Sequence, residues 1–174
     1  TDIEGFELSI KNLKYNIIGK KVMILGAGGV VPSIILALNN MKVSEIIISN
    51  RTKKKAEELK NLFKNLKIVD WGEIPKFDII INATSIGITK QSINFPSFII
   101  TENTVCYDLS YSYEPTLFMR WSVENKAKLA IQGWGMLIEQ AAASYCLWRD
   151  KKPNTSSILK QLNINASSQV LRRL

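Results

Sequence analysis

The sequence predicts an α/β fold: a mainly parallel, doubly wound sheet with helices on both faces, plus C-terminal helices. Two observations carry this. Short apolar runs of strand length alternate with longer segments of helical period along most of the chain. The first such run, Val22-Met23-Ile24-Leu25, ends abruptly in Gly26-Ala27-Gly28-Gly29 before an apolar helical segment. Alternating strands and helices favour a parallel sheet, because parallel strands need crossovers and those crossovers lay helices over both faces.

In order along the chain, Phe6, Ile10 and Leu13 stand at helical spacing, so a helix is expected over 1–13. A break at 16–20 precedes the strand at 22–25, a continuous apolar run of the buried parallel type. The helix expected over 30–40 tolerates Pro32 because its first turn has no amide bond to lose. Ile46-Ile47-Ile48 centres a strand at 45–49, and Ala56, Leu59 and Phe63 mark an amphipathic helix over 53–63. Further strands are expected at 66–69, 77–82, 104–108 and 129–131, with a helix over 116–125 between the last two. The segment 136–148 is apolar nearly all round apart from Glu139, Gln140 and Ser144, so it must be buried on most sides or face a partner. A last helix is expected over 154–162, and the tail has no clear pattern.

Composition limits the chemistry. The chain has 174 residues, 46% hydrophobic and 22% charged, enough for a sizeable core. No apolar run reaches bilayer length and no signal-peptide pattern opens the chain, so a cytoplasmic location is expected. Cys106 and Cys146 lie in apolar contexts and are expected as buried thiols. There is no histidine, which excludes Ser-His and Cys-His nucleophile pairs and, with two separated cysteines, the usual zinc sites. No metal is expected, and acid–base work falls to Asp, Glu, Lys, Tyr or Cys. The net charge of +8 favours anionic partners but is scattered, and no aromatic–basic interleaving suggests nucleic acid.

The glycine cluster is the first candidate site. Between a strand and a helix, Gly26 permits a tight turn and Gly28 lets the backbone approach a diphosphate, which the helix N-terminus attracts. Ala27, Gly29 and Val30 complete the turn, and Val31 takes a position where Gly or Ala is usual. The other reading is a plain structural turn. An NAD site places a carboxylate about 20 residues on, at the end of the second strand. This chain has Asn50-Arg51-Thr52-Lys53-Lys54-Lys55 there instead. A guanidinium faces a 2′-phosphate with a planar fork, Thr52 offers a hydroxyl, and Lys55 stands one helical turn on. NADP is the expected cofactor; the competing reading is a charged helix start on the surface.

The whole set of motifs resembles the cofactor-binding part of the shikimate dehydrogenase family. The carriers are Gly26–Gly29, Asn50-Arg51-Thr52, Asn82-Ala83-Thr84-Ser85-Ile86-Gly87, Tyr107-Asp108-Leu109-Ser110-Tyr111, and Gly133-Trp134-Gly135-Met136-Leu137 with Gln140, in the family's order and spacing. The resemblance implies a Rossmann-like domain in which Asn82-Ala83-Thr84-Ser85 closes over the ribose and nicotinamide half of the cofactor. It implies that Leu109 and Gly133 flank the nicotinamide, and that Tyr111 and Gln140 contact the substrate. On the residues alone Tyr111 reads as packing, and Gln140 either needs partners in its apolar helix or is a solvent-facing neighbour of Glu139. Thr1-Asp2 matches the end of the family's Asn-Thr-Asp segment, so Asp2 corresponds to the catalytic aspartate that pairs with a lysine and a substrate hydroxyl; on its own it reads as a helix cap. Gln132 and Leu117 depart from the family pattern, in loop geometry rather than in chemistry.

The implied organisation is a connecting helix and NADP domain over 1–132, with helices at 133–174 that pack on an N-terminal substrate domain. That domain, which supplies the lysine, is expected to be missing here. The implied activity is reversible, NADPH-dependent reduction of 3-dehydroshikimate to shikimate in aromatic amino-acid biosynthesis. The alternatives are a non-catalytic NADP-binding module and a quinate/shikimate dehydrogenase paralogue. A homodimer is a further expectation.

Overall fold

The computed structural model describes residues 1–73, 75–86, 100–162 and 170–172. Its elements are α1 (Asp2–Asn12), β1 (Lys21–Leu25), α2 (Val31–Asn40), β2 (Glu45–Ser49), α3 (Lys53–Leu62), β3 (Leu66–Val69), β4 (Ile79–Asn82), β5 (Val105–Asp108), α4 (Leu117–Glu124), β6 (Leu129–Gln132), α5 (Trp134–Arg149), α6 (Thr155–Leu162) and β7 (Val170–Arg172). The sheet order is β3-β2-β1-β4-β5-β6-β7. The first six strands are parallel, and β7 pairs antiparallel with β6. The doubly wound expectation holds, with the strand order reversing direction between β1 and β4.

Strands β1, β2, β4, β5 and β6 are buried over almost their full length, as apolar strands covered on both faces must be. Two cores result. One holds Phe6, Ile24, Ile34, Leu38, Ile48 and Tyr107 under α1, α2 and α5. The other holds Met23, Ile80, Cys106, Phe118 and Ala130 under α4. Burial raises the Cys106 thiol to about 12, so it stays a neutral, inert packing group.

The helix α1 packs along α5 by means of small residues. A Cβ on Gly5 would stand 2.7 Å from Gln140 Cβ and 2.9 Å from the Met136 carbonyl oxygen, and one on Gly135 would stand 2.9 Å from Ser9 Oγ. Backbones that approach this closely leave no room for side chains. Beneath them the buried Tyr107 ring meets Phe6 edge-on at 5.4 Å, and its hydroxyl bonds Ser9 Oγ at 2.6 Å. The expected boundary at 132/133 falls between β6 and α5, while α5 lies against α1 and β7 lies against β6.

Several expectations shift. The fourth strand starts at Ile79 rather than at 77, since Asp78 turns its carboxylate to the Lys21 N–H at 2.8 Å. The α5 helix begins at Trp134, directly after Gly133, and not at 136. Strand β7 was not expected, because three residues carry no readable period. Cys146 is half-exposed rather than buried, on a stretch of α5 whose Tyr145, Leu147 and Trp148 are exposed. Glu139, read as a candidate neighbour of a solvent-facing Gln140, is itself buried: its Oε1 accepts from Asn12 Nδ2 at 2.9 Å and Thr155 Oγ1 at 3.0 Å. Asp2 is no cap; Thr1 holds the N-cap position without a side-chain bond.

Candidate functional site

The parallel register brings the motifs together. Ser49, Leu25, Asn82, Asp108 and Gln132 are register partners in one row across five strands. Each is the last residue of its strand, so the glycine turn, the Asn50–Lys55 stretch, the 83–86 loop, Leu109–Tyr111 and Gly133 all leave the same edge. That edge is the carboxyl end of the sheet, and the β1/β4 reversal makes a crevice there.

Gly26 sits at φ +103°, a backbone state that side chains rarely adopt, and a Cβ there would stand 2.8 Å from the Ala83 carbonyl oxygen. Gly26 therefore keeps the turn tight against the loop after β4. Gly28 and Gly29 have no such neighbour: above Gly29 the space is open to 4 Å, and above Gly28 only the Ala83 carbonyl is met, at 4.0 Å. Ala27, Gly28 and Gly29 donate their amides to no backbone carbonyl among the described residues. Free amides under open space at the start of α2, with Val30 as N-cap, fit a diphosphate.

At the end of β2, Asn50 Nδ2 donates to the Thr52 carbonyl at 2.8 Å and shapes the start of α3. Arg51, Thr52 and Lys55 are exposed there, and the Arg51 side chain makes no hydrogen bond or ion pair among the described residues. Lys53 is committed elsewhere: its Nζ holds Asp70 Oδ1 at 2.7 Å, and that bond raises its pKa.

The β4–β6 end is built from buried polar groups. Asp108 accepts Asn82 Nδ2 at 3.1 Å and Ser110 N–H at 3.0 Å on Oδ1, and Thr116 Oγ1 at 2.7 Å on Oδ2. Burial pushes its carboxyl above the ordinary range, and these donors pull it back down. Asn82 Oδ1 in turn accepts the Thr84 hydroxyl at 2.6 Å and the Thr84 N–H at 3.2 Å. Thr84 Oγ1 accepts Ile86 N–H at 3.1 Å, while Ser85 is exposed beside it. Gly87 lies outside the described residues.

Tyr111 is 50% exposed, and its ring lies 4.9 Å from that of Trp134. Ser112 is held from both sides: its N–H donates to Gln132 Oε1 at 2.8 Å and its carbonyl accepts Trp134 Nε1 at 2.9 Å. Gly133 lies between these two residues, where a Cβ would collide with the Leu109 carbonyl oxygen. A cavity of about 390 Å³ opens beside Tyr111, lined by Ser110, Ser112, Thr116 and Arg120. Asp2 begins α1 one helical turn before Gly5, the residue that touches Gln140. Gln140 is half-buried, and its amide makes no hydrogen bond among the described residues.

Asp108, Thr116, Trp134 and Gln132 are the site-building residues that the sequence reading did not assign. The available signal was a polar residue closing each apolar run, as in Val105-Cys106-Tyr107-Asp108 and Ala130-Ile131-Gln132. A polar side chain in that position is buried and needs partners. Among the described residues no cluster of metal-ligating groups occurs, and no helix is long and apolar enough to cross a membrane.

Comparison with known proteins gives two family profiles. "Shikimate / quinate 5-dehydrogenase" matches residues 7–109, and "Shikimate 5'-dehydrogenase C-terminal domain" matches residues 133–162. The shikimate dehydrogenase (NADP(+)) of Pelagibacter ubique is 41% identical over 158 residues, covering 90% of this chain and 59% of that protein. The Thermus thermophilus shikimate 5-dehydrogenase solved with NADP(H) and shikimate superposes with a TM-score of 0.81 at 26% identity, over 94% of this chain and 62% of that one. A 5-ketofructose reductase of Gluconobacter superposes with a TM-score of 0.79 at 28% identity, over 94% and 62%. The chain thus spans about six-tenths of the length of each of these relatives.

Proposed function

The chain belongs to the shikimate/quinate 5-dehydrogenase family, and from that premise we propose that it is the NADP-binding half of a shikimate dehydrogenase. The observation that carries the cofactor reading is the pairing of open glycines at the β1/β4 crevice with an exposed Arg51 at the end of β2, neither the glycine amides nor the guanidinium having a partner among the described residues. No carboxylate stands where NAD sites place one, so a 2′-phosphate meets cations instead.

The roles follow from position. Gly26, Ala27, Gly28, Gly29 and Val30 hold the diphosphate by backbone amides. Asn50 shapes the loop from which Arg51, Thr52 and Lys55 meet the 2′-phosphate. Ala83, Thr84 and Ser85 cover the ribose and nicotinamide, with Leu109 and Gly133 at its flank. When bound, NADPH supplies a hydride for a carbonyl carbon. The carbonyl oxygen then needs a proton, and in a histidine-free chain a Lys–Asp pair suits that task, with Asp2 as its carboxylate and the lysine coming from a substrate domain. Tyr111 and Gln140 orient the substrate. The C-terminal part of α5, with Leu147 78% and Trp148 80% exposed, is the surface we assign to that domain. The working compartment is the cytoplasm, and the substrate pair is 3-dehydroshikimate and shikimate.

Titrating the chain with NADP and with NAD tests the cofactor half: tighter NADP binding is expected, and equal affinities would sink the 2′-phosphate role. Turnover is tested on the natural gene product, by adding shikimate and NADP and following reduced-nicotinamide absorbance. NADP binding without turnover would leave a cofactor-binding module. Quinate oxidised in preference to shikimate would favour the paralogue.

A further inference from the structure

The buried bonds around Asp108 form a chain with one direction. An ionised carboxylate can only accept, so every group that reaches Asp108 must donate: Asn82 Nδ2, the Thr116 hydroxyl, and both the N–H and the hydroxyl of Ser110. With its amide nitrogen committed, Asn82 must turn Oδ1 the other way, where it accepts from the Thr84 N–H and hydroxyl. The Thr84 oxygen is then left to accept from Ile86 N–H. On its other side, Thr116 accepts Met119 N–H at 3.2 Å and caps α4. Four elements are fixed by one acceptor: β4, the loop after it, β5 and the start of α4.

The end of this chain of bonds touches the cofactor crevice. Thr84 Cγ2 stands 3.0 Å, and the Ala83 carbonyl oxygen 2.8 Å, from where a Gly26 Cβ would lie. The 83–86 arm therefore rests on the glycine turn, with its polarity and height set from below. Asp108 itself is 1% exposed and sits at the wall of the cavity beside Tyr111, so it acts on the arm from below, through Asn82.

We propose that Asp108 is a positioning residue for the nicotinamide half of the cofactor: through Asn82 and Thr84 it sets the arm that closes on that half. Nothing in this chain of bonds reaches Arg51 or the β2 end, so the adenosine half binds independently of it. The inference rests on the NADP reading above, and the two fail in different ways.

The test compares two ligands on the same 174-residue chain: NADP, and adenosine 2′,5′-bisphosphate, which has the adenosine half but no nicotinamide. Removing a buried acceptor with Asp108→Ala should weaken NADP about tenfold while the bisphosphate stays within about twofold. Asp108→Asn keeps an acceptor oxygen for Asn82 and should restore NADP affinity to within about threefold of the original. Should Asp108→Ala fail to fold, Thr116→Val removes one bond to the carboxylate together with the α4 cap, and Thr116→Ser restores both. The same split, with a smaller NADP loss of about threefold, is then expected. Equal weakening of both ligands in a folded variant would make Asp108 a general stability residue and overturn the proposal. Unchanged NADP affinity would overturn it too. If the unsubstituted chain binds neither ligand, the cofactor reading falls and takes this inference with it.

Discussion

At the ends of β1 and β2, the carboxyl edge consists of glycine backbone and exposed side chains: open space over Gly29, and an Arg51 with no partner among the described residues. At the ends of β4, β5 and β6, the same edge consists of buried polar side chains, Asn82, Asp108 and Gln132, each about 1% exposed and bonded to its neighbours. The difference matches two kinds of recognition. The NADP reading proposed above assigns the phosphates to amides and an exposed cation, which need little support beyond one glycine at positive φ. A reacting ring must be held to a fraction of an ångström, and such precision comes from side chains locked by a second layer of bonds.

Four substitutions break or sharpen this contrast. Gly26→Ala should have the largest effect, because it adds a Cβ at φ +103° against the Ala83 carbonyl. A stability loss of about 3 kcal/mol in urea unfolding is expected, together with loss of NADP binding. Arg51→Ala removes an exposed group that bonds nothing among the described residues, so stability should not move. NADP affinity should fall about tenfold or more while NAD affinity barely changes, as two titrations would show.

Trp134→Ala probes the opposite end. It deletes the ring packed at a tilt against Tyr111 and the bond to the Ser112 carbonyl, and should cost about 1.5 kcal/mol in urea unfolding. NADP affinity at the phosphate end should be untouched; a drop there as large as for Arg51→Ala would erase the distinction between the two regions. The smallest effect concerns pH. Burial raises the Asp108 carboxyl above its ordinary value. Its contribution to stability is then fully present below the ordinary carboxylate range, and is lost as pH rises through the folded-state value. Asp108→Asn should flatten that part of the stability-against-pH curve measured by urea unfolding. An unaltered slope would mean that the donors to the carboxylate cancel the effect of burial.

The open region was far more legible than the buried one. Gly26, Gly28 and Arg51 announce themselves because a positive φ, an exposed amide and a charge at a strand end are local matters. Tyr111 and Gln140 were reached by family resemblance, since an exposed aromatic and a half-buried amide look alike in many settings. Asp108 was part of a quoted motif, yet its work depends on Asn82, 26 residues away, and on Thr116, eight residues ahead. Glu139 shows the same limit: in the sequence it only interrupts an apolar segment, and the packing of α1 and α6 around α5 supplies the partners that let it be buried.

By itself, then, the sequence determined the alternation of strands and helices, the glycine turn after β1 and the lack of a carboxylate after β2. Hydrophobic period, glycine torsion and charge act over a few residues, so they can be read in a line. Tertiary structure alone decided that Ser49, Leu25, Asn82, Asp108 and Gln132 end in one row, and that Gly5 of α1 fits against Gln140 of α5. Those facts depend on which strands pair and in which register. Register is set by burying every strand at once, a condition that no short stretch of chain contains.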